Sequence, residues 1–135
     1  MGEWCHPHHY TDWAKAYAVT RMRAEIGVFL DHCLPLLRDA ARAQGYALAV
    51  HGSLSRDLDL IAVPWTDEAT GLDTLVAALA EATKEATGWG HISGRSDNSW
   101  RTDKPHGRVA VTILASAELS LDISIVPALA GKGEN

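Results

Sequence analysis

The sequence predicts a single α/β (α+β) domain, in which helices pack on a mixed sheet of about four to five strands in the order α-β-β-α-β-β. The chain has 135 residues, the usual size of one domain. Its composition, 47% hydrophobic and 21% charged, is typical of a soluble globular protein. Apolar residues recur with the helical period in some segments and with the extended period in others. We interpret residues 1–135 as one domain, with an irregular lead-in at 1–10 and a frayed tail at 129–135.

The first helical segment begins at Thr11 and has its apolar face between Ile26 and Ala41. Apolar residues there recur at three- and four-residue spacings, as on one face of a helix. Pro35 lies within this segment, where proline costs about 3 kcal/mol. The pattern therefore allows one bent helix or two helices that meet near Pro35. Gly45 is placed to end the segment as a C-terminal cap.

Two strands are expected next, at 46–51 and 57–63, with a turn at 52–56 between them. The second run alternates at its start and then becomes fully apolar, like a strand that enters a core. Pro64 is expected to stop it. These two strands carry the motif discussed below.

An amphipathic helix is predicted from Leu72, with Thr70 and Asp73 as a capping pair and Gly88 at its end. The following stretch, 88–107, is rich in Gly, Ser, Asp and Asn and is expected to be a loop with a short strand near 91–92. Long loops inside a compact domain are often functional. The last two strands are predicted at 108–114 and 120–126.

Charge excludes some classes of partner. Lys and Arg number 12 and Asp and Glu 17, which gives a net charge of −5. Duplex DNA is therefore not an expected partner, because non-specific binding to it needs a basic surface.

No apolar run approaches the roughly 20 residues that span a bilayer, so no membrane partner is expected. Without a basic and apolar leader at the N-terminus, the expected location is cytoplasmic.

Three aspartates form the sharpest motif. Asp57 and Asp59 share one face if the strand is regular, because alternate side chains point the same way. Asp122 lies between apolar residues in a later strand. If the two strands are neighbours, three carboxylates converge on a patch suited to Mg²⁺ or Mn²⁺, which accept oxygen ligands. The alternative is a solvated strand end without a metal.

A basic cluster precedes the strand at 108–114. Lys104, His106 and Arg108 are well suited to contact phosphate groups, Lys104 as a point charge and Arg108 through its forked guanidinium. The alternative is a solvated loop whose charges only improve solubility. Trp100, in the same polar stretch, is a candidate for stacking on a base.

The arrangement of Gly-Ser at a strand end, Asp-x-Asp on the next strand and a lone Asp on a later strand resembles the DNA polymerase β-like nucleotidyltransferase superfamily, over roughly residues 24–126. The resemblance implies a nucleotidyltransferase-like mixed sheet in which Gly52 and Ser53 contact the phosphates of a nucleotide. It also implies that the three aspartates bind metal and take part in catalysis. The runs HGSLSRDLDLIAVPW, KPHGR and LDISIVP resemble short uncharacterised proteins of tailed phages and prophages, which would place this chain in the cytoplasm of a host cell.

One departure from the superfamily pattern concerns the phosphate contact. Its members usually have a helix between the Gly-Ser and the Asp-x-Asp, but here only residues 54–56 intervene, at most one helical turn. Backbone N–H groups of a tight turn can still bind an anion, and Arg56 would add a charge.

Two functions are the main candidates, beside a third possibility, a structural or self-associating phage component in which the acids are only solvated. The first is Mg²⁺-dependent binding of a nucleotide or other small phosphorylated ligand, with transfer of a nucleotide monophosphate to a hydroxyl. The second is a catalytically degenerate nucleotide-binding or host-interaction protein. The missing helix favours the second function and the set of three carboxylates favours the first. A homodimer is compatible with both.

Overall fold

Three helices and a six-stranded mixed sheet make up the described part of this computed structural model, which covers residues 7–94, 97 and 99–128, with side chains from residue 12. This confirms the predicted α/β class. The elements are α1 (Pro7–His32), α2 (Leu34–Ala43), β1 (Tyr46–His51), β2 (Leu58–Pro64), α3 (Leu72–Thr87), β3 (His91–Ile92), β4 (Arg101–Asp103), β5 (Val109–Leu114) and β6 (Ser120–Ile125).

The first helical segment is two helices, which settles the alternative left open around Pro35. The break lies at Cys33, and Pro35 occupies the first turn of α2, where its missing N–H costs no hydrogen bond. Helix α1 begins at Pro7, so the prediction of an irregular segment over 1–10 is wrong for residues 7–10. Residues 1–6 and the predicted frayed tail at 129–135 lie outside the described residues.

The start of α3 differs from the predicted capping pair. Its N-cap is Gly71, and no side chain caps it. The Thr70 hydroxyl and backbone N–H instead both donate to the Gln44 carbonyl oxygen, at 3.4 and 2.9 Å. Thr70 therefore ties the segment before α3 to the end of α2. The end of α3 is at Gly88, as predicted, in the left-handed conformation that a helix C-terminus favours.

The sheet has the order β1-β2-β6-β5-β3, with β4 also paired to β5. Strands β2 and β6 are parallel and the other pairs are antiparallel. The sequence did not predict β4, because its three residues are all exposed and show no alternation. Asp57 precedes β2 by one residue, and Arg108 precedes β5.

One face of the sheet is covered and the other is open. Leu58, Leu60, Leu121 and Ile123 are fully buried on the covered face. The same core contains residues of α2 and α3: Leu37, Ala41, Leu75, Val76 and Leu79. Residues of opposite parity in β2, β5 and β6 therefore face the open side. Among the described helices, none is long and apolar enough to cross a membrane.

Candidate functional site

Four strands each place one residue in a row across the open face. The pairing register sets His51 opposite Asp59, Asp59 beside Asp122, and Asp122 opposite Thr112. Each acid lies between buried neighbours in its own strand, so its side chain must point away from the core. Neighbouring strands are about 4.8 Å apart. The parallel pairing of β2 with β6 thus brings together the two aspartates that the sequence placed on separate strands.

Asp122 is held by a hydrogen bond within the sheet. The Thr112 hydroxyl donates to Asp122 Oδ1 at 3.1 Å, from the neighbouring strand β5. Both side chains are half-buried. The contact orients one carboxylate oxygen of Asp122.

Asp59 lies against the turn that follows β1. Gly52 has a φ of +88°, a conformation that residues with a Cβ rarely adopt. A Cβ at this position would overlap the Asp59 carboxylate, so glycine serves here for its backbone conformation and for the space it leaves. The glycine and the second aspartate of the Gly-Ser…Asp-x-Asp motif are therefore in direct contact in the fold.

Asp57 reaches the same group of acids from the end of the turn. Its carboxyl has a pKa above the ordinary value, first because of partial burial and then because of the negative charge of Asp122 and hydrogen bonding to it. The Arg56 guanidinium lowers the pKa of Asp57 and offsets part of this effect. The Asp57 carboxyl thus experiences both partial burial and a neighbouring negative charge, and Arg56 offsets only part of their effect.

A cavity of about 470 Å³ opens beside Asp59 and Asp122, and its described lining does not include Asp57. Asp59 and Asp122 form part of its floor, and Trp100 and Lys104 belong to its wall. Its remaining lining residues are mostly small or polar: His51, Ser93, Ser99, Thr102, Ala110, Val111, Thr112, Ile123 and Ser124. Its volume lies in the range of small-molecule sites.

The fit of these residues to a divalent cation rests on their oxygen donors. Asp57, Asp59 and Asp122 offer carboxylates only, the donor type that Mg²⁺ prefers. Among the described residues, no group of three or more His, Cys, Asp or Glu side chains is arranged to hold a metal ion. The expected convergence of three acids into one metal-binding group is thus absent from the described residues. Protein sites for Mg²⁺ often use one or two carboxylates, with water and phosphate as the other ligands, and the present arrangement fits that type.

The turn at 52–57 contains no helix, as the short spacing predicted. Gly52 and Ser53 are both exposed, and the Ser53 hydroxyl lies 2.8 Å from the Ser55 hydroxyl. Leu54 is left-handed at a φ of +59°. The described lining of the cavity includes neither Gly52 nor Ser53. Their predicted contact with phosphates stays a prediction, as does that of Arg56, which is exposed and acts on the pKa of Asp57.

The three basic residues near β5 lie in different settings. Lys104 lines the cavity and is exposed. His106 is exposed in a 3-10 turn at Pro105–Gly107 and has a left-handed φ of +68°. Arg108 is half-buried, and its guanidinium donates to the Pro105 carbonyl oxygen and to the Ser124 hydroxyl. The structure therefore places Lys104, but neither His106 nor Arg108, in the cavity wall.

Sequence reasoning missed Thr112 as a site residue. Its signal is a polar residue between the apolar Val111 and Ile113, the same alternation that marked Asp122. That signal shows that Thr112 faces away from the core, but only the β5–β6 register shows that it meets Asp122.

Two sequence comparisons bear on the family of this chain, and neither finds a match. The sequence matches no protein-family model, and no curated protein is significantly similar to it. The resemblance to nucleotidyltransferases thus depends on the short motifs and stays a prediction.

Proposed function

We propose that this chain binds a nucleotide through Mg²⁺ on the open face of its sheet. The proposed site is the cavity that Asp59 and Asp122 line, and Asp57 takes part through its interaction with Asp122. The ligand is a nucleotide or another small molecule of the same phosphorylated type. Support comes from the motif resemblance and from the site's geometry.

The observation that carries the proposal is the parallel register of β2 and β6. It sets Asp59 beside Asp122 in the lining of a cavity. Asp57 adds a third carboxyl next to Asp122, and its pKa is raised first by partial burial and then by the charge of Asp122. Carboxylates that repel one another at the base of an open cavity favour a bound cation. The negative carboxylates would also repel the negative phosphate groups of a ligand, unless a cation lies between the carboxylates and the phosphates.

When bound, Mg²⁺ would neutralise the carboxylates and accept phosphate oxygens. The chain's own residues would then orient the ligand. Thr112 holds one oxygen of Asp122 in place. Trp100 lines the cavity and is the candidate for stacking on a base, and the Arg101 guanidinium lies 5.9 Å from the centre of its ring. Lys104 adds a positive charge at that wall.

Calorimetric titration of ATP, GTP, CTP and UTP tests the proposal, with Mg²⁺ and with EDTA. We expect binding of at least one nucleotide that needs Mg²⁺ and is lost in Asp59→Asn. Asp67→Asn is the matched control, because it removes an exposed acid from the segment between β2 and α3. Binding that persists without Mg²⁺ and in Asp59→Asn would contradict the proposal.

Transfer of a nucleotide monophosphate to a hydroxyl is the second candidate. The motif of three acids in the sequence favours it, because two metal ions held by carboxylates can bind the attacking and leaving oxygens. The described residues do not gather the three acids into one metal-binding group, which counts against it. The helix-free turn after Gly52 favours binding without transfer, because it offers no helix N-terminus to a phosphate. Release of pyrophosphate from the bound nucleotide separates the two, since binding alone releases none.

A further inference from the structure

Residues 101–108, which we name the basic strap, double back beside the cavity. Strand β4 pairs antiparallel with β5, so that Asp103 lies opposite Val109. The backbone N–H of Lys104 donates to the Arg108 carbonyl oxygen at 2.9 Å and closes the turn between the two strands. The strap therefore has a defined conformation at the point where Lys104 enters the cavity wall.

Arg108 joins the strap to the strand that carries Asp122. Its Nε donates to the Pro105 carbonyl oxygen at 3.2 Å, within the turn. Its Nη1 donates to the Ser124 hydroxyl at 3.1 Å. Ser124 lies two residues after Asp122 on the same open face of β6. One planar guanidinium thus fixes the turn and its distance from the acid site, a geometry that a lysine cannot reproduce.

Lys104 is the one Lys or Arg side chain among the described residues that line the cavity. Its ammonium is suited to a phosphate oxygen. The turn after Gly52, which in the resembled superfamily precedes a helix, has no helix here. A phosphate group in the cavity therefore meets a cation of the chain on the side of the strap.

We infer that the basic strap replaces the missing helix as the phosphate contact, with Lys104 binding a phosphate group and Arg108 acting as a positioning residue. Arg108 holds the turn against β6 and does not touch the ligand. The inference rests on the proposed function, because the ligand is the one proposed for this cavity.

The test is calorimetry on the full chain with Mg²⁺, using ATP and inorganic tripolyphosphate as probes. Lys104→Gln is expected to weaken binding of both probes about tenfold, as loss of a charged hydrogen bond does. Lys84→Gln, which removes an exposed lysine from α3, is the matched control and should change nothing. Without nucleotide, both variants should bind Mn²⁺ with the affinity of the unchanged chain, because neither lysine is expected to hold the metal.

The role of Arg108 is tested by a double-mutant cycle. If Arg108 acts through Lys104, the pair Lys104→Gln with Arg108→Gln loses no more affinity than the larger of the two single changes. Hydrogen exchange at the Lys104 amide should also become faster in Arg108→Gln, a readout that needs no ligand. Additive losses would overturn the positioning role and place Arg108 on the ligand.

Failure of the inference differs from failure of the proposed function. Mg²⁺-dependent binding that Asp59→Asn abolishes and Lys104→Gln leaves intact would overturn the inference alone. Absence of Mg²⁺-dependent binding in the unchanged chain would overturn both.

Discussion

At the residue scale, the candidate site brings aspartates close together, and the pKa of Asp57 is raised by partial burial and by the charge of Asp122. Asp57 meets Asp122, Asp122 accepts from Thr112, and Asp59 lies against Gly52. Sequence spacing predicted that the acids face away from the core. It could not predict that Gly52 packs on Asp59, because this contact depends on the left-handed turn between β1 and β2.

The raised pKa of Asp57 predicts a pH-dependent stability in metal-free solution. Folding raises the pKa of this carboxyl above the unfolded value of about 3.9. The ionised form therefore costs stability, and the cost develops as pH rises through the folded pKa. We expect Asp57→Asn to increase the free energy of unfolding at pH 7 by up to about 0.5 kcal/mol, since water screens an exposed carboxyl. The difference should vanish below pH 4.

Urea denaturation in EDTA at pH 7 and pH 3 measures this effect. Asp67→Asn serves as the control, since it changes the net charge equally. An Asp57→Asn variant that is less stable than the unchanged chain at pH 7 would show that partial burial and the charge of Asp122 do not together disfavour the ionised Asp57 carboxyl.

Gly52 has two separable reasons to be glycine. Gly52→Ala imposes a left-handed conformation on alanine, at about 1 kcal/mol, and also displaces the Asp59 carboxylate. Gly88→Ala has nearly the same φ and open space around its Cβ, so it measures the conformational cost alone. We expect Gly52→Ala to lower the free energy of unfolding by more than Gly88→Ala does. The additional loss of unfolding free energy in Gly52→Ala should become smaller when Asp59 is also changed to Ala. If it stays the same, the new Cβ does not clash with the Asp59 side chain.

At the element scale, α2 shows how an apolar pattern becomes a packed helix. Its buried residues are Leu34, Leu37 and Ala41, which recur at three- and four-residue intervals and meet the core. The sequence predicted Leu37 and Ala41 on this face, but not Leu34, and allowed a break near Pro35. It left open whether the helix bends or splits, because proline is tolerated in a first turn and disruptive inside a helix.

Leu37 and Leu36 form a matched pair on α2. Leu37 is completely buried, whereas Leu36 is 41% exposed. Leu37→Ala should lower the free energy of unfolding by about 3 kcal/mol, because a buried leucine loses its contacts and leaves a cavity. Leu36→Ala should change it by less than about 1 kcal/mol. Urea unfolding curves compare the two, and equal losses would contradict the packing of α2 on the sheet.

At the scale of the whole molecule, the sheet has a covered face that stabilises the fold and an open face that carries the candidate site. Along β2, β5 and β6, successive side chains alternate between the covered face and the open face. A ligand on the open face therefore stabilises the whole cooperative unit.

Thermal unfolding tests this coupling. At a free ligand concentration about 100 times the dissociation constant, Mg²⁺ with the preferred nucleotide should add about 2.7 kcal/mol of stability. For a chain of this size, we expect a rise in Tm on the order of 10 °C. Asp59→Asn should abolish the rise, while Asp67→Asn should keep it. A rise of the same size in both variants would place the ligand outside this cavity.

The sequence by itself determined the fold class, most of the elements and the side of the sheet on which Asp59 and Asp122 lie. These properties follow from local periodicity, because the 3.6-residue and two-residue repeats show which side chains are buried. Only the tertiary structure decided that β2 and β6 are parallel neighbours, that Thr112 meets Asp122, and that Lys104 shares a cavity with Asp59. Strand order and register depend on contacts between residues far apart in the chain, and no local pattern specifies them. The short strand β4 was not predicted, because its residues are all exposed and so show no alternation of apolar and polar side chains.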